Sequence, residues 1–364
     1  MTNPRPQRVC FVAGTLGQGG AERQLLYMVS ALSQMGIQCQ ILSLMHGEFY
    51  HSRLLDIGVP VIYVGRFGLP LLRLFSIIRE VRRWRPDIVQ SAHLYTNLYA
   101  AIAARITGSI SIGANRNSVV HDIQPLGYWG KLCLRYPHAV VTNSAQSLQT
   151  IRKNALTLRP VFLLENAVDC EQFEPRLTPR EPASSIYTLA VGRLVGQKRH
   201  DLYLRAVVGA RQTAPNLLAR IVGEGPQRTA LEDLVAELNI GDVVEFLGAQ
   251  CDMAPIYQQA DMLVLTSDYE GTPNVVLEAM ACGLPVVTTR AGAVPGLIED
   301  GETGYVTELG DVDAIARAIV DLALHPDKRK QMGKEARARV EAQHSLKMLG
   351  PRLLAIYNQV LGAP

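Results

Sequence analysis

Short apolar runs alternate along this chain with longer stretches whose apolar residues recur at helical spacing. A continuous apolar run bounded by polar or glycine residues reads as a strand buried on both faces. The spaced stretches read as amphipathic helices. In the first half the pattern predicts strands over 8–14, 37–44, 60–65, 87–94, 109–115 and 139–143, and helices over 21–35 and 71–84. The second half repeats it, with strands over 186–192, 217–223, 243–248, 262–266, 284–288 and 304–307. Its clearest helices are 226–239 and 311–324, and Asp311 is placed to cap the second of them. Such alternation predicts parallel sheets covered on both faces, an α/β chain.

The rhythm breaks once, over 169–185, where Pro175, Pro179 and Pro182 fall in a stretch without hydrophobic periodicity. The expected organisation is a first Rossmann-like domain over 1–168, a linker over 169–185, and a second over 186–345. A closing helix over 346–364 is expected to pack back on the first domain. Ligands of open α/β sheets bind beyond the carboxyl ends of the strands, so two doubly wound domains facing each other would share a central cleft.

Composition changes this picture little, and charge changes it more. With 364 residues, 48% of them hydrophobic and 19% charged, the chain has material for two cores and is not disordered. The net charge of +3 hides an asymmetry. Residues 1–180 hold 19 Lys and Arg against 10 Asp and Glu, net +9; residues 181–364 hold 17 against 23, net −6. Two halves of opposite sign imply different partners, the basic one facing an anionic surface. The six cysteines are scattered without a C-x-x-C pair, which fits a cytoplasmic protein better than a disulfide or zinc framework. The polar opening residues do not resemble a signal peptide. The uncharged run 88–104 is too broken by Gln90, Ser91, His93, Thr96 and Asn97 to span a membrane.

Three segments carry candidate chemistry. The first is 270–283, where a strand runs through a polar turn into a helix. Pro273 suits a first helical turn, and the unpaired N–H groups at a helix start form an anion site fit for a diphosphate. Glu270 lies before the helix and Glu278 within it, able to accept hydrogen bonds from sugar hydroxyls. The alternative makes Glu270 a helix-start charge and Glu278 a solvated helix residue. The second is 191–200, where Arg193 and Lys198 follow a strand end as diphosphate ligands or as surface charges. The third is the glycine loop after the first strand, Gly14 to Gly20, a flexible ligand-touching loop or a plain turn. Its order is not G-x-G-x-x-G, and no acidic residue ends the second strand, which argues against a dinucleotide cofactor.

The two glutamates, with seven residues between them, resemble the E-x7-E signature of retaining glycosyltransferases of the GT-B fold, family 4 in particular. Gly17–Arg23, 191–198, 222–226 and 244–248 are similar to further segments of that family in the same order. The resemblance implies that Arg193 and Lys198 hold the donor diphosphate and stabilise the leaving group. It implies that Glu270 contacts the donor sugar and Glu278 the nucleotide ribose. Gly248 would lie near the base. Gly271, Thr272, Pro273, Asn274 and Val275 would surround the phosphates or sugar, with Gly17, Gly19 and Gly20 also on the donor. Metal and cofactor are expected to be absent, and no Asp-x-Asp motif is present.

Two departures stand out. Gly296 replaces a glutamate of the family's Gly-Gly-x-Pro-Glu pattern, with Glu299 as a substitute. At the place of an N-terminal-domain histidine the chain has Arg116 and Asn117, the pattern of some relatives acting on lipid-linked glycans, with His93 and His121 as rivals. Glu22 and Arg23 complete the acceptor-side candidates. The segment 66–85 pairs Leu71, Leu74, Phe75, Ile78, Val81 and Trp84 with Arg73, Arg79, Arg82, Arg83 and Arg85. It suits an anionic membrane surface, or else is an ordinary packing helix. Nucleic acid is not an expected partner. The expected activity is transfer of a sugar from a nucleotide diphosphate, UDP before GDP, to a glycan or lipid-linked acceptor in cell-surface glycan synthesis. The alternatives are a sugar-nucleotide epimerase of the same fold or a non-catalytic sugar-nucleotide binder.

Overall fold

The computed structural model describes residues 5–66, 68–176 and 185–362. Phe67 of the predicted basic helix and residues 177–184 of the predicted linker lie outside the described residues, as do the first four and last two positions. The chain divides into two compact units, one built from the residues up to Ala167 together with Leu346 onward, the other from Val168 to Ser345.

The first unit holds strands β1 (Arg8–Ala13), β2 (Gln38–Ser43), β3 (Val61–Tyr63), β4 (Ile88–Ser91), β5 (Ile110–Asn115), β6 (Ala139–Thr142) and β7 (Val161–Leu163). They form one parallel sheet in the order β3-β2-β1-β4-β5-β6-β7, with Val9 opposite both Cys39 and Ile88. Side chains alternate between its faces. Val9, Phe11 and Ala13 join the core beneath the helix Gly20–Gln34, while Cys10 and Val12 join Ile77 and Val81 on the other side. The closing helix Leu346–Gly362 belongs to this unit: Leu349, Leu353, Ile356 and Tyr357 pack into the first of these cores.

The second unit holds β8 (Ile186–Val191), β9 (Leu217–Val222), β10 (Val244–Gly248), β11 (Met262–Leu265), β12 (Val286–Thr289) and β13 (Gly304–Thr307). Its parallel sheet runs β10-β9-β8-β11-β12-β13. Met262 and Val264 face one core and Leu263 and Leu265 the other. The chain thus has two doubly wound Rossmann-like units, as the alternation of strands and helices predicts.

Three local expectations change. Strand β7 was not predicted. Asp169 to Arg176, expected as linker, is in part packed into the second unit. Phe173 is fully buried edge-on to Tyr257, and Arg337 donates to the carbonyls of Cys170 (3.0 Å) and Phe173 (2.6 Å). In the helix Pro70–Trp84 the apolar residues do not form one stripe. Ile77 and Val81 face the sheet, while Leu71 and Phe75 stand in solvent, 80% and 66% exposed.

Candidate active site

In the second unit the strand order reverses between β8 and β11. Loops leaving such a pair diverge and open a crevice at the carboxyl ends of the strands. The loop after β8 carries Arg193 and Lys198; the loop after β11 carries Glu270 and leads into the helix Asn274–Ala281. The two loops are stitched together. The Asp268 amide donates to the Gln197 carbonyl (2.9 Å), Gln197 Nε2 to the Tyr269 carbonyl (2.7 Å), and Thr266 Oγ1 to the Arg199 carbonyl (2.8 Å).

Across this seam Lys198 Nζ lies 2.5 Å from Glu270 Oε1, and Ser267 Oγ donates to the same oxygen at 2.6 Å. Both members of the pair are largely buried. Gly292, in the loop after β12, has φ +59°, and a Cβ there would come within 1.8 Å of the Glu270 carbonyl oxygen. The third loop closes on Glu270 only because that residue is glycine. The helix begins at Asn274, so its first-turn amides follow the Glu270 loop directly, the Val276 amide donating to the Pro273 carbonyl at 3.2 Å. Pro273, expected inside the first turn, is extended and precedes it. Gly271 and Thr272 complete the loop, and Val275 lies in the first turn.

Glu278 is buried, and the Tyr257 hydroxyl donates to its Oε2 at 2.9 Å. That excludes the solvated-residue alternative. Arg193 is exposed and forms no ion pair among the described residues, leaving its guanidinium available to an anion. Its loop is held by the segment after β9: the Leu194 amide donates to the Glu224 carbonyl (2.9 Å) and the Gln227 amide to the Leu194 carbonyl (3.0 Å). Gly248 ends β10, two strands from β8. His200, at the start of the helix that follows Lys198, is buried, and burial next to Lys198 pulls its imidazole down to about 4. At Gly296 a Cβ would meet open space. Glu299, the suggested substitute, is instead exposed and paired with Arg339.

The first unit has a matching corner where its order reverses between β1 and β4. The Gly14 amide donates to His93 Nδ1 at 3.2 Å, so that nitrogen is unprotonated. His93 Nε2 therefore carries the hydrogen and donates to Glu22 Oε1 at 3.0 Å. With both ring nitrogens engaged, His93 holds the glycine loop to the first helix. The loop is also tied by further hydrogen bonds. Thr15 Oγ1 donates to Glu48 at 2.7 Å, the Leu16 amide donates to the same carboxylate, and the Gly17 amide donates to Thr15 Oγ1 at 3.0 Å. The Gly19 amide donates to the Gly17 carbonyl at 2.9 Å. A Cβ on Gly19 would lie 2.2 Å from Glu22 Oε2, so this glycine admits the carboxylate. The amides of Gly17 and Gly19 are thus bonded inside the loop. Gly20 opens the helix, and Arg23 Nε donates to the Tyr50 hydroxyl at 3.1 Å.

Beyond β5, Asn115 Nδ2 donates to Asp122 Oδ2 at 2.9 Å. Burial pushes the Asp122 carboxyl up to about 6, against hydrogen bonds from Asn117 and Asn115 and the nearby His93. His121 is exposed beside Ser118 (3.0 Å). Arg116 is partly buried between Met28 and the closing helix.

Comparison with known proteins matches this architecture. The Glycosyltransferase Family 4 profile covers residues 18–172 and the Glycosyl transferases group 1 profile residues 175–339. This chain belongs to glycosyltransferase family 4. N-acetyl-alpha-D-glucosaminyl L-malate synthase of Bacillus anthracis is 37% identical over 141 residues, 39% of this chain and 37% of that enzyme. D-inositol 3-phosphate glycosyltransferase of Saccharomonospora viridis is 29% identical over 299 residues, 77% of this chain and 66% of its own length. The matched segments thus span under two thirds of both relatives. Among solved structures, Anabaena Alr3699/HepE in complex with UDP superposes with a TM-score of 0.82 at 18% identity, covering 97% of this chain and all 100% of the other. That likeness establishes the shared GT-B fold.

Within this family frame, several residues of the two corners escaped the sequence. Ser267 and Tyr257 carry no motif. Glu48 lies five residues past β2, just beyond where an acidic residue was sought. Asp122 was passed over beside Arg116 and Asn117, though an acid among polar residues after a strand is a readable signal.

Proposed function

We propose that this chain transfers a sugar from a nucleoside diphosphate donor to a glycan or lipid-linked acceptor, retaining configuration and without a metal. The observation that carries the reading is the Lys198–Glu270 pair set just before the helix Asn274–Ala281, which itself carries the buried Glu278, where the strand order reverses. Lys198 and Arg193 supply positive charge to the diphosphate as the sugar–oxygen bond breaks, assisted by the helix's first amides. Glu270, held by Lys198 and Ser267, presents its carboxylate edge to sugar hydroxyls. Glu278, oriented by Tyr257, accepts from the ribose.

A UDP-sugar is favoured because HepE, with the same fold, was solved with UDP and with UDP-glucose. A GDP-sugar is the second option. A Mycolicibacterium smegmatis relative, 33% identical over 186 residues, is described as a GDP-mannose-dependent phosphatidylinositol monomannoside mannosyltransferase. Acceptors of other relatives, including the lipopolysaccharide core enzyme LpsE of Rhizobium meliloti, support a cell-surface glycan role. Among the described residues no helix is long and apolar enough to cross a membrane. The exposed Leu69, Leu71 and Phe75 beside Arg66, Arg73 and Arg79 suit docking at the cytoplasmic face of an anionic membrane.

The test is a thermal-shift panel of UDP, GDP, ADP and CDP with their sugar conjugates, followed by product analysis. A ligand at a hundred times its Kd adds about 2.7 kcal/mol to the folded state, enough to name the donor. Absence of any shift removes the donor assignment. Failure of sedimentation with anionic vesicles at low salt removes the membrane one.

A further inference from the structure

Beside Lys198 the backbone enters a strained turn. Arg199 has φ +48° and ψ +44°, the left-handed region that glycine enters freely and a residue with a Cβ enters at a cost. Among the described residues, the other non-glycine positions at positive φ are Arg85, Ala155 and Asn239, and each follows the end of a helix, where such a turn is common. Arg199 instead stands between the short turn Gly196–Lys198 and the helix His200–Arg211, which it opens. A guanidinium has no acceptor, so it cannot cap the amides of that helix.

Its side chain is used across the seam. Nε and Nη2 each donate to the Asp201 carboxylate at 3.0 Å, a two-point contact, and Nη1 donates to Asp268 Oδ1 at 3.3 Å. One guanidinium thus joins the start of the helix to the loop after β11. Asp268 stands next to Ser267 and two positions before Glu270, and Ser267 Oγ donates to Glu270 Oε1. On the other side Lys198 directly precedes Arg199, and the carbonyls of both accept from Thr266 Oγ1, at 3.1 and 2.8 Å. The turn and the guanidinium therefore act on the two ends of the Lys198–Glu270 contact.

Stability does not account for the residue. The side chains of Arg199, Asp201 and Asp268 are 33%, 39% and 42% exposed, and water screens ion pairs of that kind to little net worth. Glycine would take this backbone without strain. What the arginine adds is the position in which its pairs hold the two loops, and strain kept beside a reacting centre is a mark of preorganisation.

We infer that Arg199 is a positioning residue of the transfer reaction, a clamp that sets Lys198 against Glu270 by tying the loop after β8 to Asp268 in the loop after β11. This rests on the transferase reading above and deepens it. Lys198 acts there on the departing diphosphate, so a loosened clamp lowers turnover more than donor binding.

The experiment follows nucleotide release from UDP-glucose and from GDP-mannose, with water as the acceptor, by the full chain, Arg199→Gln, Asp268→Asn and the double variant. Each single variant is expected to lower kcat by about tenfold or more with donor KM within about threefold. The double variant should fall no further than the lower of the two, because both break one contact. A kcat in Arg199→Gln close to that of the wild type, a raised KM with kcat unchanged, or losses that multiply in the double variant each overturn the inference. Arg199→Gly relaxes the backbone while removing the clamp, and it serves where Arg199→Gln does not fold. The same loss of kcat is expected of it, and an intact kcat overturns the inference. If the wild type turns over neither donor, that result bears on the transferase reading. The clamp is then decided by hydrogen exchange of the Asp268 amide, which donates to the Gln197 carbonyl at 2.9 Å. Exchange faster by about tenfold or more in Arg199→Gln sustains the clamp, and unaltered exchange overturns it.

Discussion

The Lys198–Glu270 pair can be tested apart from catalysis, through the folding of the second unit. Replacing Lys198 by Met leaves the Glu270 carboxylate, 7% exposed, with Ser267 Oγ but without its cation. Removing one partner of a buried ion pair costs about 3–5 kcal/mol, because the remaining charge stays desolvated. Replacing Glu270 by Gln as well removes that charge, so the double variant should recover about 2 kcal/mol or more of the loss, a coupling typical of contacting residues. The assay must report on the right unit. Both tryptophans, Trp84 and Trp129, lie in the first unit, so fluorescence would not follow the second. Hydrogen exchange of the β8 and β11 amides, or calorimetry resolving two transitions, does follow it. If the double variant is no more stable than Lys198→Met, the two groups do not stabilise each other. The geometry at 2.5 Å would then carry no energetic weight, and the preorganised Glu270 of the proposed mechanism would lose its support.

Kinetic variants divide the roles. Arg193→Ala and Lys198→Ala are each expected to lower turnover by about 100-fold, as for loss of an electrostatic stabiliser; near-normal rates in both would remove the diphosphate assignment. Glu278→Ala should raise the donor KM, and Tyr257→Phe, which removes the 2.9 Å bond to Glu278, should raise it less; an unchanged KM in both moves the ribose contact elsewhere. Glu48→Ala frees the Leu16 amide and Thr15 hydroxyl, and the expected result is faster amide exchange in the 14–19 loop; unaltered exchange would show that His93 and Glu22 suffice to hold it. His200 should make the second unit acid-sensitive. Its folded value of about 4 lies below the ordinary 6.5, so between these pH values the unfolded chain binds a proton that the folded one excludes. Stability is then fully present above 6.5 and falls as pH drops toward 4, by about 3 kcal/mol in all. His200→Leu should flatten that part of the profile, and an identical slope in the variant would refute the assignment.

What could be read from the chain and what could not differ by physical kind. Strands buried on both faces leave continuous apolar runs, so β1, β8 and β11 were visible without any partner in view. Likewise Glu270 and Glu278 were visible through their spacing on a strand–turn–helix. The state of each group depends on neighbours brought in by the fold, and these are distant in sequence. Nothing at position 278 announces that Tyr257, 21 residues earlier, would bury and orient its carboxylate. Similarly the glycine loop looked mobile because glycine is permissive, yet Glu48, 32 residues beyond Leu16, accepts the loop's amide and removes that freedom. His93 was ambiguous for the same reason. A histidine after a strand is available or spent according to what its two nitrogens meet, and here Gly14 and Glu22, 79 and 71 residues away, meet both.

The same logic separates Arg116 from its rivals. His93 has its hydrogen-bonding capacity filled from within the unit, and His121 is exposed on a helix end beside Ser118. Arg116 is half-buried and keeps its charge at neutral pH, and its guanidinium donates to the Met28 thioether. On that view a change at His93 should act through the glycine loop, altering its exchange and the alignment of Glu22. A change at Arg116 should leave the loop as it is, because its own partners are Met28 and Asn143. The two effects are separable because the hydrogen-bond networks of the two residues share no member.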